Sequence, residues 1–208
     1  MAYDLEEQEQ LDEFKAWWKK NGSIAINLVL AALVAYSAWQ GYHYFQNKKS
    51  VEASALYQTM LTTDPTKVAD IKAQSAKLMD SYDGTPYAGR AAVYAAKANF
   101  VAKDNKSAKS QLEWAIKNAT EGAVKAIAGL QLADILFEEK DYAGAQKILG
   151  AIDDKGYAGL KANMQGDVLL AQGKQAEAKK AFATALENLD AQGRLHLYTQ
   201  QKLESLGV

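Results

Sequence analysis

Two hydrophobic patterns divide the chain into an N-terminal segment and a longer body. Residues 21–47 form a mostly apolar run of 27 positions that contains no Asp, Glu, Lys or Arg. After residue 49, apolar residues recur three or four positions apart, which places them on one face of an α-helix. The two patterns predict an all-α protein in which one long apolar helix is followed by a series of shorter amphipathic helices.

The apolar run is long enough to cross a membrane. As a helix it extends about 40 Å at 1.5 Å per residue, and the hydrocarbon core needs only about 20 residues. Trp17 and Trp18 lie at one end of the run, and Trp39 and Tyr44 lie near the other. Aromatic residues at both ends are typical of a spanning helix, because their amphipathic rings favour the membrane interfaces. We therefore predict a single transmembrane helix over residues 23–45.

The same run has two alternative interpretations. A buried core helix would rarely stay uncharged over this length with lysine pairs at both ends. A cleaved secretion signal could be cut at the small residues of Ala35-Tyr36-Ser37, but the tail that precedes the run is long and acidic. We favour an uncleaved anchor over both alternatives.

The tail before the run, residues 1–22, has a pattern of its own. Its large apolar residues follow the helical spacing i, i+3, i+7, with lysines beside them: Leu11, Phe14 and Trp18. This spacing predicts a short amphipathic helix on the membrane surface, and a frayed polar tail with a few anchoring aromatic residues is an equal alternative. Three lysines precede the run and two follow it, which only weakly favours a cytoplasmic tail.

The body of the chain repeats itself. Three segments each contain a small residue, a large apolar residue four positions later and an apolar residue three positions after that. These triplets are Ala108, Leu112 and Ala115; Ala145, Leu149 and Ile152; and Ala178, Phe182 and Ala185. An apolar helix precedes each triplet, so residues 89–190 are predicted to form three antiparallel helix pairs. In such pairs the small residue permits close approach and the large one fills the space against the next pair.

The flanking segments complete the predicted solenoid. Residues 46–88 are expected to form an N-terminal helix pair, whose second helix starts at Asp64-Pro65 and ends at Asp83-Gly84-Thr85-Pro86. Residues 191–208 are expected to form a capping helix, because the last repeat would otherwise expose its apolar face.

Composition removes several function classes. The chain has no cysteine, so thiol catalysis, disulfides and Cys-based metal sites are excluded. Residues 48–208 carry a charge of only about +2, which argues against nucleic acid as a partner. The two histidines, His43 and His196, are far apart in the sequence, and no nucleophile–base or acid–base set can be assembled. We therefore expect no enzyme activity, no metal and no cofactor.

The repeats resemble a known family. The third unit is similar to a tetratricopeptide repeat (TPR) at six positions: Gly166, Leu169, Gly173, Ala178, Phe182 and Ala185. The whole chain resembles the YfgM-like family of bacterial inner-membrane proteins, the ancillary subunit of the Sec translocon. That likeness is densest at TPYAGRAAVYAAKANFVAKDN, LQLADILFEEKDYAGAQKIL and KGYAGLKANMQGDVLLAQGKQAEAKKAF.

The resemblance implies a location and partners. It implies a single-pass protein of the bacterial inner membrane, with the N terminus in the cytoplasm and the repeats in the periplasm. It also implies association with the Sec translocon and with a membrane-anchored, prolyl-isomerase-like periplasmic chaperone. The implied role is to pass emerging, unfolded client proteins to periplasmic chaperones. A scaffold for another envelope assembly or secretion complex would look similar in sequence, and a cytoplasm-facing adaptor is a third possibility.

A partner-binding groove is expected on the first helix of each repeat. Groove-facing side chains of tetratricopeptide repeats recur at i, i+3, i+7 and i+10, where i follows the unit starts Gly89, Ala126 and Gly159. The candidate groove residues are Arg90, Val93, Lys97 and Phe100; Ile127, Leu130, Asp134 and Phe137; and Leu160, Asn163, Asp167 and Leu170. Some of these side chains could instead belong to the core, because the repeats are degenerate.

Overall fold

The structure is a computed structural model that describes the backbone of residues 2–207 and the side chains of residues 7–207. Within these residues it contains α-helices, one short 3₁₀ helix and no β-strand. The helices are α1 (Ala2–Thr62), α2 (Val68–Ser81), α3 (Pro86–Val101), α4 (Asn105–Asn118), α5 (Gly122–Glu138), α6 (Tyr142–Gly150), α7 (Ala158–Ala171), α8 (Gln175–Asn188) and α9 (Arg194–Ser205), with the 3₁₀ helix at Lys155–Tyr157. The predicted all-α class is confirmed.

The chain divides into two compact units, and the boundary falls after Lys48. The first unit contains the predicted membrane helix, residues 23–45, as a part of α1. Its large apolar side chains are exposed, for example Leu28, Leu33 and Trp39. In the described part of the chain, α1 is the one helix that is long and apolar enough to cross a membrane. Exposure of so many apolar side chains is what a helix in contact with lipid requires.

The tail residues before the span are helical as well. Phe14 contacts Trp17 and Trp18, with ring centroids 6.3 and 6.1 Å apart, so these three aromatic side chains form an exposed cluster. This tail is continuous with α1 rather than a separate short helix, because no residue between it and the span interrupts the helical backbone.

The second unit begins with the end of α1, which forms a helix pair with α2. The two helices share a core that includes Met60, Ile71 and Leu78. Helix α2 starts at Val68, three residues after the predicted Asp64-Pro65. The Asp64 carboxylate accepts hydrogen bonds from the backbone N–H and the hydroxyl of Thr66, and this local turn holds these residues outside the helix.

Three helix pairs follow, α3/α4, α5/α6 and α7/α8, in the predicted register. All nine residues of the repeated triplets are buried, with exposures of 0–6%. Close contacts explain the small residues on the first helices. A Cβ placed on Gly166 would lie 2.6 Å from Cδ1 of Phe182, so only glycine leaves space for this ring.

The turns between paired helices share one geometry. Lys103, Lys140 and Gly173 have φ values of 66°, 63° and 77°. In each turn the N–H of the following residue bonds to a carbonyl five positions back, which is the pattern of a Schellman motif. Glycine adopts this left-handed conformation readily, whereas each lysine is strained by about 1–2 kcal/mol. The turn recurs with the same intervals as the buried alanines, so it belongs to the repeat.

Candidate partner-binding groove

Four of the twelve predicted groove residues line one cavity. Arg90, Val93 and Lys97 of α3 and Ile127 of α5 surround a space of about 260 Å³. The remaining lining residues were not predicted from the sequence: Tyr57, Tyr94, Val124 and Gln131. Tyr57 comes from the last part of α1, outside the repeats, and a pattern search confined to the repeats could not include it.

The Arg90 guanidinium is already engaged at one edge of this cavity. Its Nε and an Nη donate to the two carboxylate oxygens of Glu121, at 2.8 and 2.7 Å. The bonds from Arg90 hold the pKa of the Glu121 carboxyl below its usual range, and the same pair raises the pKa of Arg90. Such a bidentate pair fixes Arg90 in place. Lys97, by contrast, is exposed and makes no ion pair with any described side chain.

A second and larger cavity lies further along α3, with a volume of about 490 Å³. Its lining is mainly apolar. The residues are Pro65, Thr66, Val68, Ile71, Tyr94, Lys97, Ala98, Val101 and Ala102. Tyr94 and Lys97 therefore line both cavities. No pattern in the sequence indicated the second cavity, because four of its nine lining residues come from the α1–α2 connection and the start of α2.

Several other candidate groove residues contribute to the core. Phe100 packs against the buried cluster around Leu112 and Leu132. Leu130 and Phe137 pack against the next cluster along the chain, which includes Leu149. These half-buried side chains belong to the edge of the core, as expected if degenerate repeats turn some groove positions into core positions.

Asp134 lies on the same face of α5, between these apolar side chains. Burial raises the pKa of its carboxyl, and the nearby Glu138 and Asp167 carboxylates add to this rise. Partial desolvation and like charges both disfavour the ionised form.

In the last repeat, two of the four candidate groove residues contact α9. Asn163 is 8% exposed, and its Oδ1 accepts a 2.9 Å hydrogen bond from the buried Thr199 hydroxyl. The Lys202 ammonium donates to both carboxylate oxygens of Asp167 at 2.7 Å. Leu160 and Leu170 remain partly accessible. A contact of the buried Asn163 with another protein thus requires α9 to move, whereas Asp167 stays partly exposed beside Lys202, and the role of both residues in partner binding stays a prediction.

Among the described side chains, no group of three or more His, Asp or Glu residues could hold a metal ion. The candidate site therefore consists of two adjacent, largely apolar cavities with the exposed Lys97 at their shared edge. This arrangement offers surface for another polypeptide.

Comparison with known proteins agrees with this architecture. The family model described as a tetratricopeptide repeat-like domain matches residues 15–208, which include the predicted membrane helix as well as the repeats. A protein of Neisseria gonorrhoeae named ancillary SecYEG translocon subunit is 33% identical, over 99% of this chain and 100% of its own length. The chain belongs to this family of ancillary translocon subunits.

More distant members of the family match over most of their length. Proteins of Haemophilus influenzae and Escherichia coli with the same name are each 25% identical to this chain. The alignments cover 90% and 97% of this chain, and 92% and 97% of those proteins. Membership of the family confirms the resemblance identified from the sequence, and it extends over the apolar helix and the repeats together.

Proposed function

We propose that this protein is a non-catalytic, ancillary subunit of the Sec translocon in the bacterial inner membrane. Residues 23–45 anchor it, the N terminus lies in the cytoplasm and the repeat domain lies in the periplasm. The name shared by its relatives and the exposed apolar helix near the N terminus support this proposal.

The repeat domain would act as a docking surface. It would bind a membrane-anchored, prolyl-isomerase-like chaperone and emerging client proteins, and so help to pass translocated proteins to the periplasmic chaperones. The observation that carries this part is the pair of adjacent cavities on α3, which are largely apolar and open to solvent. A concave apolar surface of this kind suits the docking of another polypeptide.

Co-purification tests the association with the translocon. The full chain is extracted from membranes in mild detergent, and the bound proteins are identified by mass spectrometry. Recovery of the SecY, SecE and SecG subunits is expected. Recovery of a different envelope complex without them would contradict the proposal and favour a scaffold role in that complex.

A reporter fused after Val208 tests the orientation. A reporter that is active only outside the cytoplasm should be active in this fusion, and a cytoplasmic reporter should be inactive. The opposite result would indicate a cytoplasm-facing adaptor.

Photo-crosslinkers test the division between groove and anchor. Ile127 and Lys97 line the groove, whereas Leu28 and Leu33 are exposed on the membrane helix. We expect chaperone or client adducts from the first pair and adducts with membrane-embedded partners from the second. Identical adducts from both pairs would contradict separate binding surfaces.

A further inference from the structure

The two cavities on α3 are adjacent, because Tyr94 and Lys97 line both of them. We call this surface the α3 groove. Its described lining contains no carboxylate, and of its two cations Arg90 is neutralised by Glu121. Lys97 is left as an exposed positive charge at the point where the two apolar cavities meet. The chemistry complementary to this arrangement is two apolar groups with a carboxylate close to both.

The spacing of the cavities along α3 restricts the backbone of an occupant. The first cavity contacts residues between Arg90 and Lys97, and the second contacts residues between Tyr94 and Ala102. The midpoints of these stretches lie about five residues apart, which is about 7 Å along the helix axis. Two side chains one helical turn apart, at i and i+4, are separated by about 6 Å.

The carboxylate distinguishes a helix from an extended strand. In a strand, residues i and i+2 are also about 7 Å apart, but residue i+1 points to the opposite face and cannot reach Lys97. In a helix, residues i, i+3 and i+4 share one face. A helix can therefore present two apolar side chains and one carboxylate to the groove at the same time.

We propose that the α3 groove binds an amphipathic helix of a partner protein. Two leucine-like side chains at i and i+4 enter the two cavities, and a glutamate at i+3 pairs with Lys97. The inference rests on the proposed docking function of the repeat domain and specifies the chemistry of the segment that docks there. Val101, which is 72% exposed at the rim of the second cavity, contacts the second apolar side chain.

A designed peptide provides the test. The full chain is reconstituted in lipid nanodiscs and titrated into a fluorescent, alanine-based helical peptide that carries Leu, Glu and Leu at i, i+3 and i+4. Peptides with lysine in place of the glutamate, with alanine in place of both leucines, or with a central proline serve as comparisons. We expect the glutamate peptide to bind about 3–10 times more tightly than the lysine peptide, since an exposed ion pair contributes modestly.

Protein variants assign the preference to the groove. Lys97→Glu should reverse the charge preference, so that the lysine peptide binds more tightly. Val101→Arg should weaken the binding of the glutamate peptide about tenfold, and an exposed site should tolerate this change without loss of fold. Lys180→Glu, an exposed lysine on α8, is the matched control and should leave the preference unchanged.

Several results would overturn the inference. They are an unchanged preference in Lys97→Glu, equal binding of the peptide without leucines, and the absence of saturable binding. Equal binding of the proline peptide would show that the groove accepts extended, client-like chains instead of a helix. Co-purification with translocon subunits is measured separately, so a failed peptide test with intact co-purification removes the helix proposal and leaves the proposed function standing. Loss of co-purification with a preserved peptide preference would contradict the proposed function and leave the helix proposal standing.

Discussion

Replacing Gly166 with alanine should destabilise the repeat domain, although this change usually stabilises a helix. The new Cβ would lie 2.6 Å from Cδ1 and 2.8 Å from Cζ of Phe182, well inside the contact distance of about 3.5–4.0 Å between carbon atoms. The ring is completely buried, so it cannot move into solvent. Overpacking of this kind costs about 1–3 kcal/mol, and the gain in helix propensity returns at most about 1 kcal/mol.

The expected net loss for Gly166→Ala is up to about 2 kcal/mol. Urea unfolding of the full chain in detergent, followed by far-ultraviolet circular dichroism, measures this difference. Gly150→Ala is the matched control, because Gly150 ends α6 and a Cβ added there would have no described atom within 4 Å, so this variant should be neutral or stabilised.

A double variant tests the cause of the loss. In a Phe182→Leu background the side chain that clashes is smaller, so Gly166→Ala should cost about 1 kcal/mol less than in the natural sequence. Equal effects of the two glycine substitutions, together with no coupling to Phe182, would refute the proposed contact between α7 and α8.

Three further predictions concern the anchor, the core and the pH dependence. N-terminal sequencing of protein purified from membranes should find residues 23–45 still attached; a sequence that begins near Ala38 would instead indicate a cleaved signal. Phe182→Ala should lower the free energy of unfolding by about 3–5 kcal/mol, because it leaves a cavity in a fully buried site, and an unchanged urea midpoint would contradict the repeat register. Hydrogen bonds from Ser107, and then Lys72, lower the pKa of Asp104 to about 2, so its contribution to stability is present above about pH 4 and is lost as the pH falls towards 2. The urea midpoint of Asp104→Asn should therefore decline less steeply over this range than that of the natural protein. An equal decline in both proteins would contradict the stabilising hydrogen bonds of the Asp104 carboxylate.

Prediction from sequence worked best where it depended on local spacing. The buried alanines and Phe182 were placed correctly because small and large residues at helical intervals lie on one face of a helix whatever the surrounding structure. The same reasoning located the apolar helix. The exact start of α2 was missed because the hydrogen bonds of Asp64 to Thr66 compete with the helix, and residue type alone does not decide that competition.

The structure brings some of the candidate groove residues together, and their role in binding stays a prediction. Arg90, Val93, Lys97 and Ile127 do line one cavity, because they occupy one side of the first helices of two neighbouring pairs, α3 and α5. The repeat pattern could not reveal that Arg90 is paired with Glu121, since their contact joins the second turn of α3 to the residue before α5. The repeat pattern also treats the three repeats as equivalent, so it could not distinguish the last repeat from the first two.

The sequence alone determined the all-α class, the long apolar helix near the N terminus and the spacing of the repeats. These features follow from composition and from spacings within single helices. The tertiary structure decided which groove positions are open. Asn163 and Asp167 are engaged by α9, and the larger cavity arises where the α1–α2 connection meets α3. Both outcomes depend on contacts between segments that are distant in the sequence, and the packing of whole helices, rather than any local pattern, brings such segments together.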